Sequence, residues 1–172
     1  FTRLYLLGHK GDAAFQATQR CNHLKYDLTH VYVQRKADAN IQSVYPAIIE
    51  SYVGQSFIRS VRLVDVPGND ADASRAVAVE VKTVNDHTDL CFADGKPDTT
   101  RKLTTPFALE VSGEFAYYST DKDGVRQATL AGGTALRGPE VVLAASARQR
   151  AARVVKVDYL EKKLWLDQRW QM

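Results

Sequence analysis

Sulfur is scarce in this chain of 172 residues, which holds two cysteines, Cys21 and Cys91, and one methionine. The cysteines are far apart and make no C-x-x-C pair. They can form one disulfide in an oxidising compartment or stay free in a reducing one. The four histidines (His9, His23, His30, His87) lack zinc-ligand spacing, so no structural zinc is expected. Long apolar runs are missing too, which excludes a membrane-spanning helix. No G-x-x-x-x-G-K-[ST], G-x-S-x-G, H-E-x-x-H or dinucleotide fingerprint occurs, so no recognisable catalytic constellation and no cofactor are expected. Internal repeats and low-complexity tracts are also missing. The chain begins at Phe1 without a methionine, which predicts processing or trimming.

What is present suits a globular domain. Hydrophobic residues make up 45% and charged residues 25%. The net charge is only +3, yet it is unevenly spread. From Arg137 onward, eight Lys/Arg face four acids. Two tryptophans lie in the same segment. Trp165, Arg169, Trp170, Arg148, Arg153, Lys162 and Lys163 are therefore the candidate partner-binding residues, since aromatic and basic side chains suit interfaces.

Periodicity predicts the elements. Ile41, Val44, Tyr45, Ile48, Ile49, Tyr52 and Val53 form an i, i+3, i+4 stripe, which predicts a helix with Ser43 as N-cap, Pro46 in the first turn and Gly54 as the stop. Residues 30–35, 57–66 and 76–84 read as strands, as does 107–118. In 107–118, Phe107, Leu109, Val111, Phe115 and Tyr117 share a face, and Gly113 marks a bulge or close packing. Asp121-Lys122-Asp123-Gly124 is a hairpin loop leading to a return strand at 125–136. The Ala-rich stretch 140–153 predicts a second helix that continues past Val154. Residues 1–30 read as an arm, with Asp12–Gln19 able to make two helical turns. The polar stretch 85–105 reads as a long loop, and such loops are usually functional or disordered.

Two motifs bear on chemistry. Asp86, His87, Asp89, Cys91 and Asp94 cluster in the long loop, where carboxylates and an imidazole could hold a divalent cation or serve a hydrolase. Gly8-His9-Lys10-Gly11 has the G-x-x-G spacing with which KH-type modules clamp a nucleic-acid backbone.

The element order adds a resemblance. An amphipathic helix ending at Gly54 is followed by Val61-Arg62-Leu63-Val64, Val77-Ala78-Val79-Glu80-Val81 and the hairpin Leu109–Phe115 … Asp123-Gly124, with a helix closing the chain. This order resembles the LPS-assembly and ABC-transport auxiliary lipoprotein domains. It implies a helix pair on one face of a mostly antiparallel sheet, an accessory role and an envelope setting. The expected fold is α+β: an antiparallel sheet of four to six strands with two helices on one face, an arm at 1–30 and a single domain at 31–172. The expected function is a non-enzymatic accessory or structural subunit bound to other protein subunits, including copies of itself. The alternatives are a nucleic-acid-binding module using Gly8–Gly11 and the basic C-terminal segment, and a metal-dependent or hydrolytic enzyme built on 85–105.

Overall fold

A computed structural model describes residues 1–8, 11–21, 23, 26–36, 38, 43–69, 76–147 and 154–166. Every regular element among them is a strand. The expected α+β architecture with two packed helices is therefore overturned in favour of a β-rich fold.

The body is a seven-stranded antiparallel sheet. Its strands are β5 (Ile58–Val64), β6 (Ala76–Thr83), β7 (Thr88–Asp94), β8 (Arg101–Leu103), β9 (Leu109–Asp121), β10 (Gly124–Arg137) and β11 (Val142–Ala144). The order across the sheet is β11-β10-β9-β7-β6-β5, and β8 pairs with the first part of β9. Three two-stranded ribbons accompany it. They pair β1 (Thr2–Leu6) with β4 (Ala47–Ser51), β2 (Ala13–Cys21) with β3 (Tyr26–Gln34), and β12 (Val154–Asp158) with β13 (Lys163–Leu166).

The strands expected at 30–35, 57–66, 76–84, 107–118 and 125–136 correspond to β3, β5, β6, β9 and β10. The turn at Asp121–Gly124 joins β9 to β10 as expected, with Gly124 at a φ of 114°. The 85–105 stretch is not one loop, because it contains β7 in the middle of the sheet. Leu90 and Phe92, each 1% exposed, alternate there with Asp89, Cys91 and Ala93.

The main core lies on one sheet face and includes Val64, Ala78, Leu90, Phe92, Val111, Tyr118 and Leu136. Reaching it from both halves of β9 requires a corner. Leu109 and Val111 enter this core ahead of Gly113, whereas Ala116 and Tyr118 enter it afterwards. Phe115 and Tyr117 consequently point to the opposite face, not to the one shared with Leu109 and Val111. Gly113 and Gly133 make the corner. A Cβ on Gly133 would sit 2.6 Å from the Gly113 Cα, and β10 shifts register between Gly133 and Ala135.

The first expected helix is β4. Within 47–51, burial alternates with period two: Ile48 and Glu50 turn inward while Ile49 is 70% exposed. β-branched Ile suits a strand, and β1 supplies the pairing partner from more than forty residues away, Leu4 opposite Ile49. The Ala-rich second helix is likewise replaced, because Val142–Ala144 pairs with Ala135–Arg137 and closes the sheet edge as β11. Residues 145–147 are not helical, and 148–153 lie outside the described residues. Beyond Val154 the chain forms the β12–β13 hairpin. The Asp158 carboxylate accepts from the backbone N–H groups of Leu160 and Glu161, and Lys162 takes a φ of 52°. That local turn chemistry wins over helical continuation.

Candidate interaction surface

The segment expected to be an arm divides into an anchored root and a bare hairpin. The root is the β1–β4 ribbon. Its Tyr5, Leu7 and Ile48 pack on Ile58, Val79 and Val81, covering the sheet face opposite the main core. A buried carboxylate fixes it there. Glu50 is 1% exposed. Its Oε1 accepts from the Phe57 N–H at 2.7 Å, the Ile58 N–H at 2.9 Å and the Ser56 hydroxyl at 2.9 Å. Its Oε2 accepts from the Tyr5 hydroxyl at 3.1 Å, with the Arg3 guanidinium 3.9 Å away. Burial pushes the Glu50 carboxyl upward. The hydrogen bonds from Ile58, Ser56, Phe57 and Tyr5 outweigh it and hold the group below the usual carboxylate range.

A clasp then separates root from hairpin. Arg35, just after β3, donates two hydrogen bonds to Asp12, just before β2, at 2.6 and 2.8 Å. It also lies over the Tyr45 ring, 5.4 Å from its centroid. A bidentate arginine–carboxylate pair fixes orientation as well as charge.

Beyond the clasp, β2 and β3 pair over nine residues each, from Ala13 opposite Gln34 to Cys21 opposite Tyr26. Period-two alternation sorts their side chains. One face carries Phe15, Ala17, Tyr26, Leu28, His30 and Tyr32, with Gln19 and Gln34 among them. The other carries Ala14, Gln16, Thr18, Arg20, Asp27, Thr29, Val31 and Val33. On the first face Phe15 stacks on Tyr32 with centroids 5.3 Å apart, and His30 lies 6.0 Å from Tyr32. Phe15 and Tyr32 nevertheless remain 51% and 46% exposed.

A second uncovered surface lies on the sheet beside the root. Cys91, Tyr117 and Thr129 form one cross-strand row, and Ala93, Phe115 and Ala131 form the next. Phe115 is 41% exposed, and Ala93 and Ala131 are exposed as well. Cys91 is a free, half-buried thiol. Burial first, and then the nearby Asp89 carboxylate, push its pKa up, so it stays a neutral thiol. The side chain of Cys21, the possible disulfide partner, lies outside the described residues.

The residues singled out in the sequence are dispersed. Trp165, Lys162 and Lys163 lie on the β12–β13 hairpin, where the Lys156 ammonium sits 4.5 Å from the Trp165 ring centroid. Arg148, Arg153, Arg169 and Trp170 lie outside the described residues, as do His9 and Lys10 of the G-x-x-G loop. The five candidate cation ligands separate. Asp86 occupies a turn and pairs with Arg59 at 3.0 Å, while Asp89 accepts from the Ser119 hydroxyl. Asp94 is buried on the main-core side against Arg101 at 2.8 Å. Among the described residues, no three His, Cys, Asp or Glu side chains converge on one point. Among them, too, no helix is long and apolar enough to cross a membrane.

The aromatic hairpin face went unread in the sequence. Its signal was there as strict alternation, Phe15-x-Ala17 and Leu28-x-His30-x-Tyr32, across a stretch read as arm and helical turns up to residue 30 and as a strand only from His30 onward. Comparison with protein families, with curated proteins and with solved structures finds no match.

Proposed function

We propose that this chain is a non-enzymatic structural subunit that joins a larger protein assembly through the β2–β3 hairpin. One observation carries the reading: an aromatic hairpin face stands uncovered while its root is clamped by Glu50 and Arg35. An isolated two-stranded hairpin is marginal in water. Contiguous exposed apolar surface marks an interaction site, and Phe and Tyr are enriched where proteins meet. The rigid root fixes where the hairpin points and so lowers the ordering cost of docking.

The test is chemical cross-linking in extracts of cells that express the chain, with the F15T/Y32T variant alongside. The exposed positions should tolerate both changes. Loss of two central aromatics should weaken partner capture by about 30-fold or more, corresponding to a hot-spot loss of roughly 2 kcal/mol. An unchanged set of cross-linked proteins would sink the proposal.

A further inference from the structure

We infer that the β12–β13 hairpin is a second contact element, independent of β2–β3, and that it docks on an anionic lipid surface. Tyr159 and Leu160 at its tip would enter the acyl boundary, and Lys156, Lys162 and Lys163 would meet the headgroup phosphates.

The positive charge of the chain is concentrated in this segment. From Arg148 onward seven Lys/Arg stand against three acids, which leaves sixteen basic and seventeen acidic residues in the rest of the chain. The described part of the segment is the hairpin, and none of its residues belongs to either core cluster. Its apolar side chains are left to solvent as a result. Val154, Val155 and Val157 are exposed, and Tyr159 and Leu160 are 86% and 94% exposed.

The tip is held in shape. The Asp158 carboxylate accepts from the backbone N–H groups of Leu160 and Glu161 at 3.0 and 2.9 Å. Two large apolar side chains are thus presented by a fixed turn. Behind them the strands alternate. Lys156 lies opposite Trp165 and Asp158 opposite Lys163, so these four share one face, and Val157 falls on the other. The Lys156 ammonium sits 4.5 Å from the Trp165 ring centroid. Tryptophan favours the membrane–water boundary, and a lysine there reaches outward along its aliphatic stem. The two acids of the hairpin have partners of their own. Asp158 caps the turn, and Glu161 lies 3.4 Å from the Lys163 ammonium.

This mixture favours lipid over nucleic acid. Single strands are held by rings free to stack on bases, whereas the Trp165 ring already carries Lys156. The exposed apolar groups are chiefly aliphatic, namely Val154, Val155, Val157 and Leu160. Aliphatic groups gain by leaving water for acyl chains. An apolar tip with cations around it needs no matching pocket, and an anionic bilayer supplies both the apolar layer and the negative charge.

The experiment uses the full chain. Its only tryptophans, Trp165 and Trp170, lie in this segment, so its own fluorescence reports the contact. Phosphatidylcholine vesicles with about 30% phosphatidylglycerol, at about 50 mM salt, should sediment the chain and shift its emission to the blue. Pure phosphatidylcholine vesicles should do neither, and about 500 mM salt should release the bound chain. K162E/K163E should weaken partitioning at least about tenfold, since each lysine near an anionic surface is worth about fivefold. Y159S/L160S should also weaken it at least about tenfold, with circular dichroism unchanged because neither side chain is buried. F15T/Y32T, which alters the other hairpin, should bind vesicles as the wild type does. No binding to phosphatidylglycerol vesicles at low salt overturns the inference, as does equal binding to phosphatidylcholine. Binding that survives Y159S/L160S overturns it too, and so does binding lost only in F15T/Y32T. If vesicles leave the emission unchanged while poly(U) shifts it, the segment is a nucleic-acid contact and the inference falls. It falls equally if vesicles have no effect while Y159S/L160S loses cross-linked proteins in extracts, which would make the tip a protein contact.

Discussion

Glu50 shows how one residue can decide a local structure. By periodicity it is a polar position beside an apolar helical stripe. In the fold it is buried and accepts hydrogen bonds from Tyr5, Ser56, Phe57 and Ile58. Glutamine cannot replace it without aiming an amide donor at a hydroxyl or N–H donor, so E50Q should lower the melting temperature and speed amide exchange in β1 and β4. The pH sense follows from the direction of the shift. The folded-state pKa lies below the unfolded value of about 4.3, so the stabilisation is complete above that value and is lost as pH falls through the folded pKa. The gap between wild type and E50Q in urea denaturation should therefore close under acid, and a gap constant down to about pH 2 would contradict this assignment. Asp94 and Arg101 give a second test at this scale. Their side chains are 1% and 4% exposed and 2.8 Å apart, and Arg101 also donates to the Gly68 carbonyl at 2.9 Å. R101M should cost about 3–5 kcal/mol by leaving a buried carboxylate uncompensated, and the D94L/R101M double variant should recover much of that loss in the same denaturation experiment.

At the scale of elements, the corner in β9 and β10 lets one strand serve two faces. Gly113 and Gly133 approach so closely that a side chain on Gly133 would meet the Ser112 carbonyl and the Gly113 backbone. Neither obstacle is a flexible side-chain end. G133A should cost about 1–3 kcal/mol, read as a lower urea midpoint with unchanged slope. The hairpin clasp makes a different prediction. R35M removes the bidentate hold on Asp12 and the stacking on Tyr45, yet both lie outside the two core clusters. Amide exchange across β2 and β3 should accelerate markedly more than exchange in the strands of the main sheet, and equal acceleration in both would contradict a local clasp.

For the whole molecule, the sheet is covered unevenly. The main core draws side chains from β5 to β10, with β11 packed against it, while on the opposite face Tyr5, Leu7 and Ile48 cover β5 and β6 and Ala93, Phe115 and Ala131 stay exposed.

The sequence by itself determined the single-sheet strands. β5, β6 and β10, the turn at Asp121–Gly124 and the close packing at Gly113 could be read because alternation, β-branching and turn chemistry are local signals. Tertiary structure decided the rest. Ile48, Ile49, Tyr52 and Val53 satisfy a helical spacing and a strand equally well. Pairing with β1, remote in sequence, and the ring of donors that Tyr5 and residues 56–58 close around Glu50 resolved that choice toward a strand. β7 was hidden because Leu90 and Phe92 stand among Asp89, Cys91 and Asp94, whose polarity reads as loop until Ser119 and Arg101 arrive to satisfy the two carboxylates. The aromatic face of the hairpin was legible as alternation, but its meaning was not. Whether Phe15 and Tyr32 are core or surface depends on what the fold brings over them, and here nothing within the described chain covers them.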